Sequence, residues 1–413
     1  MSDLSLHSTP VNTELNLKEA RNQSVALRSR PVKAWLALTG RCNLHCAHCP
    51  RRSLPSVLSE AKDLPLEVFA KFEQEVLPFL GQCKVGGNNL GEQLLAEHWG
   101  ELSSRIGRYP LAKILVTNGS LLTSEHIAAL IKGNWTIDLS AEGATEATYR
   151  KVRGRDFTQF LSSVGQCCEQ KRSLPGSGAK VRVCFTVFYD NLGDLEELVV
   201  IGAGLKIDEI MVTHLIPMRE EHRDQSLVYH KGLANLAFAR AKAIAGELGI
   251  SITLPPPFAI TGINQSPPPA LTDPRSNWSK RICYHPWTSV SINETGEVAP
   301  CCIFDRPMGN LLEKSFEAIW NGRSYQELRR SVNSTSPIGK CRNCPLRGDG
   351  FTSEICNDDR ALLSVIGPSN YVDTGFFLRL KLKEALGRTQ WGGRMFQVMR
   401  SAHRKALRMF RSP

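Results

Sequence analysis

The chain has 413 residues, 42% of them apolar and 22% charged, with a net charge of +11. That length allows two separate cores, and no stretch approaches the roughly 18 apolar residues of a membrane span. The charge is uneven: Phe376 to Pro413 hold ten Lys/Arg against one acid, Glu384, so the remainder is nearly neutral and nucleic acid is not an expected partner.

Residues 1–30 are polar and unpatterned, and read as a flexible arm. Met1 to Glu14 has no basic start and no apolar run, so no secretory signal is expected. Thirteen cysteines without such a signal suit metal or redox chemistry in a reducing, cytoplasmic setting better than disulfides.

Residues 31–252 alternate strand-like and helix-like runs. Strands are predicted at 34–38, 113–117, 135–140, 181–187 and 209–214, and helices at Pro65 to Phe79 and Ser124 to Ile131. Alternation of this kind predicts βα units around a parallel sheet. The informative residues lie just past strand ends, the rim that carries the active site in βα barrels. Residues 253–280 contain two proline triplets and read as a linker. A second cysteine-bearing region spans 281–356, and a basic tail spans 357–413.

The first strand runs into Cys42, Cys46 and Cys49, spaced C-x3-C-x2-C. Three thiolates on one short loop can hold three corners of a 4Fe–4S cube and leave one iron open. With His45 or His48 the trio could instead make a structural zinc site. Zinc ligands usually come as two separated pairs, so this compact trio suits a cluster better. Cys42-Asn43-Leu44-x-Cys46-x-His48-Cys49 resembles the signature of the radical S-adenosylmethionine (SAM) enzymes, in which the open iron chelates SAM. His48 stands where that family commonly carries an aromatic ring near the adenine.

Further segments carry the same resemblance. Gly86-Gly87-Asn88-Asn89-Leu90-Gly91-Glu92 resembles the family's "GGE" region, with Gln93 where many relatives have Pro. Thr117-Asn118-Gly119 resembles the TNG turn. Ser140-Ala141-Glu142-Gly143, followed by Tyr149 and Arg153-Gly154, resembles the S-x-D-G…Y…RG stretch, with Glu142 in place of Asp. The resemblance implies SAM-contacting roles for Gly91, Glu92, Thr117, Asn118, Ser140, Glu142 and Arg153, although a solvated cation at a helix end is the commoner fate of an arginine. It implies an α/β fold, a partial (β/α)6 TIM-like barrel.

Cys283-x17-Cys301 and Cys341-x2-Cys344, with Gly309-Asn310 and Ile319-Trp320-Asn321, resemble the SPASM/twitch extension of those enzymes. Four thiolates can close an auxiliary 4Fe–4S cluster, or a zinc site. Cys302 could replace Cys301, but the Gly296-x4-Cys301 register favours Cys301. The full SPASM pattern would place a cysteine where Gly350 stands; the next is Cys356, so one auxiliary cluster is expected.

The implied activity is reductive cleavage of SAM to a 5′-deoxyadenosyl radical, fed by a flavodoxin- or ferredoxin-type donor. The radical would take hydrogen from a small hydroxylated molecule, a sugar or aminocyclitol, which is oxidised or epimerised. Cys184 and Cys356 are candidate thiol hydrogen donors. Modification of a ribosomal peptide or protein side chain is the alternative enzyme reading, and a non-enzymatic zinc module the alternative outside catalysis. Met395, Met399, Ala402, Ala406 and Phe410 share one face of a basic amphipathic helix, which suits contact with a membrane surface, making the protein cytoplasmic but peripheral.

Overall fold

In a computed structural model the described residues are 9–49, 51, 61–87, 91–215, 222–258, 283–302, 304 and 306–344. Cys356, the basic tail, Asn88, Asn89 and the second proline triplet lie outside them.

The core is a run of seven parallel strands: β1 (Lys33–Leu36), β2 (Gln82–Val85), β3 (Ala112–Thr117), β4 (Trp135–Ala141), β5 (Lys180–Val187), β6 (Glu209–His214) and β7 (Ser251–Thr253). Each pairs with the next in parallel register. This is the partial TIM-like barrel the sequence predicts. Strand composition explains the two faces. In β5, Val181, Val183, Phe185 and Val187 alternate with Arg182, Cys184 and Thr186. The apolar set is at most 3% exposed and faces the helices, while the polar set turns inward, as a two-residue period requires.

The covering helices bury apolar stripes at helical spacing. One helix, Phe157–Ser173, buries Phe157, Phe160, Leu161, Val164, Cys167 and Cys168. Another, Ser124–Lys132, begins with a capping box between Thr123 and His126, which supplies partners for backbone N–H groups that a helix start leaves open.

The extension continues the core's sheet. β8 (Ser289–Ile292) pairs in parallel with β1, and β9 (Glu297–Ala299) and β10 (Gly309–Asn310) follow antiparallel. The sheet order is therefore β10-β9-β8-β1-β2-β3-β4-β5-β6-β7. All four residues of β8 are buried.

The expectation of a flexible arm over residues 1–30 is corrected from Thr9 onward. Helix α1 (Thr9–Arg21) packs against the molecule, with Asn12 and Asn16 0% exposed. Asn12 donates to the carbonyls of Arg30 (3.2 Å) and Phe79 (3.1 Å). Asn16 donates to Ser29 Oγ (3.0 Å) and to the Trp287 carbonyl (2.7 Å). The buried face is built from asparagines with hydrogen-bond partners, so no apolar stripe advertises it. Beyond the helix, the Ser24 carbonyl accepts from Trp287 Nε1 (2.7 Å), and the Ser29 carbonyl from Trp320 Nε1 (2.9 Å).

Candidate iron–sulfur and SAM centre

The cysteine loop leaves the C-terminal end of β1 and is fastened to the ends of the neighbouring strands. Gln93 does much of this. It is 0% exposed, accepts the Leu38 N–H (2.6 Å) and donates to the Thr39 carbonyl (3.3 Å). A proline here could make neither contact. Gly91 is required by close approach: a Cβ there would lie 2.1 Å from the Thr39 carbonyl oxygen. The Glu92 N–H then bonds the Arg41 carbonyl at 2.7 Å.

Glu92 binds the glycine-rich loop to the turn after β3. Its carboxylate accepts from Thr117 Oγ1 (2.8 Å) and from the Asn118 N–H (2.7 Å). Burial pushes this carboxyl above its ordinary range, while those donors pull it back. Gly119 turns the chain at φ +78°, a region open to glycine without strain. Asn118 Nδ2 donates to Asn43 Oδ1 (3.0 Å), and Asn43 Nδ2 to Ser120 Oγ (2.8 Å). The cysteine loop, the Glu92 loop and the β3 turn thus form one unit.

A second fastening comes from the helix Glu146–Arg153. Arg153 is 9% exposed rather than a solvated cation at a helix end. It forms an ion pair with Glu142, beyond β4, and its Nη1 approaches Cys46 Sγ at 3.5 Å. Burial works against the guanidinium's charge, but Glu142 and Cys46 hold it protonated, above the ordinary arginine range. The Ala47 N–H bonds the Val152 carbonyl (2.8 Å). Tyr149, on the same helix, is 2% exposed, with its ring 5.2 Å from Phe157; burial pushes its phenol up, and Arg153 pulls it back.

Sequence reasoning passes over Asn191. It is 0% exposed and donates to the carbonyls of Glu142 (3.2 Å) and Thr186 (2.9 Å), joining the ends of β4 and β5. Its only sequence signal is the turn chemistry of Asn after a strand. The His48 ring lies 4.1 Å from Phe188 and 4.7 Å from His222. Burial, helped by His222, pushes its pKa down to about 4, so it is a neutral ring.

Inside the barrel lies a polar layer. Asp138, with a fully buried side chain, accepts both arms of Arg182 (2.7 and 2.8 Å) and lies 3.6 Å from Lys84 Nζ. Arg182 also approaches Glu209 (3.5 Å), which accepts from Thr253 Oγ1 (2.6 Å). Ser140 and Cys184 face each other across β4 and β5, one step nearer the rim than Asp138 and Arg182. Burial raises the Cys184 thiol well above its ordinary range, with Asp138 adding to it.

Cys42, Cys46 and Cys49 are all partly exposed. Burial pushes the Cys49 thiol up, and the charges of Cys46 and Cys42 add to it. The three therefore lie within electrostatic reach of one another. Among the described residues no three His, Cys, Asp or Glu side chains form a metal-holding cage. The fit to a cluster rests on the donor set and on Arg153, a cation placed where thiolate charge would gather.

In the extension, Cys283, Cys301, Cys341 and Cys344 are partly buried, whereas Cys302 is exposed. Asn333 holds the Cys283 backbone from both sides, accepting its N–H (2.8 Å) and donating to its carbonyl (3.2 Å). Asn321, the last residue of Ile319-Trp320-Asn321, bonds both the N–H (2.8 Å) and the carbonyl (2.7 Å) of Leu27.

Comparison with known proteins matches residues 283–345 to the SPASM family, an iron-sulfur cluster-binding domain. AlbA of Bacillus subtilis (strain 168), an antilisterial bacteriocin subtilosin biosynthesis protein, is 24% identical over 349 residues, 77% of this chain and 68% of AlbA. Pre-heme d1 synthase of Dinoroseobacter shibae is 26% identical over 345 residues, 76% of this chain and 79% of the synthase. Among solved structures, Streptococcus suis SuiB bound to S-adenosylmethionine shares the fold at a TM-score of 0.54 and 15% identity, over 77% of this chain and 70% of SuiB. Residues 283–345 thus match a SPASM domain, and the chain as a whole is similar to radical SAM enzymes that carry one. A radical SAM enzyme of this kind uses a SAM-binding 4Fe–4S cluster, SAM, and auxiliary iron–sulfur chemistry in the extension. Its departures from the family pattern have local reasons: Gln93 links two loops, and Glu142 reaches Arg153.

Proposed function

We propose that Cys42, Cys46 and Cys49 hold the SAM-binding cluster and that Cys283, Cys301, Cys341 and Cys344 hold one auxiliary cluster. The observation that carries the first assignment is convergence. The cysteine loop, the Glu92–Thr117–Asn118 unit and the Glu142–Arg153 pair come from different strand ends and meet at one rim of the barrel, where βα barrels place their chemistry. These cysteines would hold the cluster, which when bound would supply the electron for reductive cleavage of SAM and so the means of removing hydrogen from a substrate. Around it, Arg153 offsets negative charge at Cys46, and Glu92 presents a fixed acceptor edge. The neutral His48 ring, packed on Phe188, offers a flat apolar surface.

For the substrate, the reading supported by AlbA's role in bacteriocin biosynthesis is a peptide side chain admitted to the barrel mouth. The small hydroxylated molecule expected from sequence is the second reading. What favours it is the inner layer of Lys84, Asp138, Arg182, Glu209 and Thr253, whose donors and acceptors match hydroxyl groups. Cys184, above that layer, is the candidate thiol in either reading. A flavodoxin- or ferredoxin-type protein would supply the electron.

The test uses anaerobically purified full-length protein. About eight irons with matching sulfide are expected for two 4Fe–4S clusters; zinc without sulfide would sink the assignment. Cys46→Ala should abolish 5′-deoxyadenosine formation from SAM and dithionite, and continued cleavage would refute the ligand set. Deuterium transfer into 5′-deoxyadenosine from a labelled peptide or a labelled polyol then separates the two substrate readings.

A further inference from the structure

One charged group in the inner layer of the barrel has donors without an acceptor among the described residues. Asp138 accepts from Arg182 Nε (2.7 Å) and Nη2 (2.8 Å). On the far side of Arg182, Glu209 lies 3.5 Å from Nη1 and accepts from Thr253 Oγ1 (2.6 Å). Lys84, on β2, differs from these. Its Nζ lies 3.6 Å from Asp138 Oδ2, an ion-pair distance and not a hydrogen bond, and it meets no other partner among the described residues.

The fold aims this lysine into the barrel. In β2, Cys83 and Val85 are 0% exposed and alternate with Gln82 and Lys84 on the inner side. The Lys84 side chain is 17% exposed. A Cβ at Gly87 would lie 3.2 Å from Lys84 Cε and 3.1 Å from Val116 Cγ2. The stem therefore lies against the turn that follows β2, where a glycine at φ +87° leaves it room. From there the ammonium reaches across β3 to Asp138 on β4. Charge then decides between ligands. An ammonium has three donors and no acceptor, and it is costly to shield from water without a partner. Asp138 offers one negative charge, and the Arg182 fork already takes both of its oxygens. A hydroxyl would give Lys84 an acceptor but no charge. A carboxylate would give both, in the stronger, charge-assisted kind of hydrogen bond.

We propose that Lys84 is a substrate-binding residue that receives a carboxylate of the substrate inside the barrel, beside Asp138 and one step below the Ser140–Cys184 pair. The substrate is then anionic in either reading: a peptide with an acidic side chain, or a polyol that carries a carboxylate. Arg182 and Glu209 hold Asp138 and each other, so the floor stays rigid while Lys84 turns to the ligand. The inference rests on the reading of the barrel interior as the substrate chamber.

The experiment is calorimetric titration of the anaerobically purified full chain, without turnover, using pairs of probes matched in shape and different in charge. N-acetyl-L-glutamate methylamide is set against N-acetyl-L-glutamine methylamide, and D-gluconate against D-gluconamide. In at least one pair the carboxylate should bind about tenfold tighter than its neutral twin, the difference made by one hydrogen bond to a charged group. The pair that shows the preference names its source, peptide or sugar acid. Lys84→Met should remove the preference and Lys84→Arg should keep most of it; Lys84→Gln repeats the test if the methionine variant folds poorly. Equal binding of the twins in both pairs by the wild-type chain would overturn the proposal without any variant, as would a preference that survives in Lys84→Met. Binding is read without SAM cleavage. A carboxylate preference that depends on Lys84 therefore supports the site even where iron and sulfide analysis of the same preparation fails the cluster assignment, and the two failures are told apart.

Discussion

The barrel rim and the extension hold their cysteines by different physics. At the rim, the loop is tied down by charge and by polar side chains at strand ends: Arg153 on Glu142 and Cys46, Glu92 on Thr117 and Asn118, Gln93 on Leu38 and Thr39. In the extension, the frame is a stack of Trp320, Tyr325 and Arg329, closed by asparagines that reach the chain's N-terminal segment. The difference suits the two tasks proposed for them. A site that receives a charged, polar co-substrate needs fixed dipoles and countercharges around an open approach. A closed cluster needs a rigid, largely dry wall.

That comparison predicts different failures. The largest effect belongs to the rim. Arg153→Met leaves the Glu142 carboxylate buried without its countercharge, and should cost about 3–5 kcal/mol, read by urea unfolding. Adding Glu142→Gln should return part of the loss, and a double-mutant cycle measures how much. A loss below about 1 kcal/mol, the range of an exposed pair, would break the picture of a charge-held rim.

Where the N-terminal helix meets the extension, the expected loss is smaller and purely structural. Asn16→Ala removes the donor to Ser29 Oγ and the Trp287 carbonyl and should cost about 1–3 kcal/mol. Hydrogen exchange should quicken across residues 9–30 and around Trp287, while the rim's amides keep their protection. Equal loosening of both regions would show that the two frames are one.

The smallest effect belongs to a residue in neither of the two frames. On the helix Leu195–Leu205, burial, with Asp194 adding, pushes the Glu197 carboxyl from 4.5 up to about 7. The raised value means that the native state favours the protonated form. The stability from that proton is complete below pH 4.5 and is lost as pH rises through about 7. Glu197→Gln, always neutral, should therefore melt higher than wild type at pH 8, with the gap closing toward pH 5. Iron content should not change at either site. A gap independent of pH would rule out the titration.

Much of the rim is legible in the sequence, for a local reason. Ligand spacing within a loop, a strand ending at Thr117-Asn118, and alternation along β5 are all short-range patterns. The order of βα units follows from periodicity in the same way. The N-terminal helix is not legible, because Asn12 and Asn16 bury without an apolar stripe, and their acceptors at Phe79 and Trp287 are distant in sequence. Nor does the sequence show that β8 joins β1, since pairing across so long a separation leaves no local trace.

What the sequence alone determined is the chemistry available: three thiols on one loop, six more in a second region, and a barrel of parallel strands to carry them. Only the tertiary structure decided which groups act together. It brought Arg153 to Cys46, and turned Gln93 into a link between two loops. The reason is that ligand identity and strand period are properties of neighbours along the chain. Countercharges and hydrogen-bond donors act through space, and which ones meet depends on how the strands and helices pack.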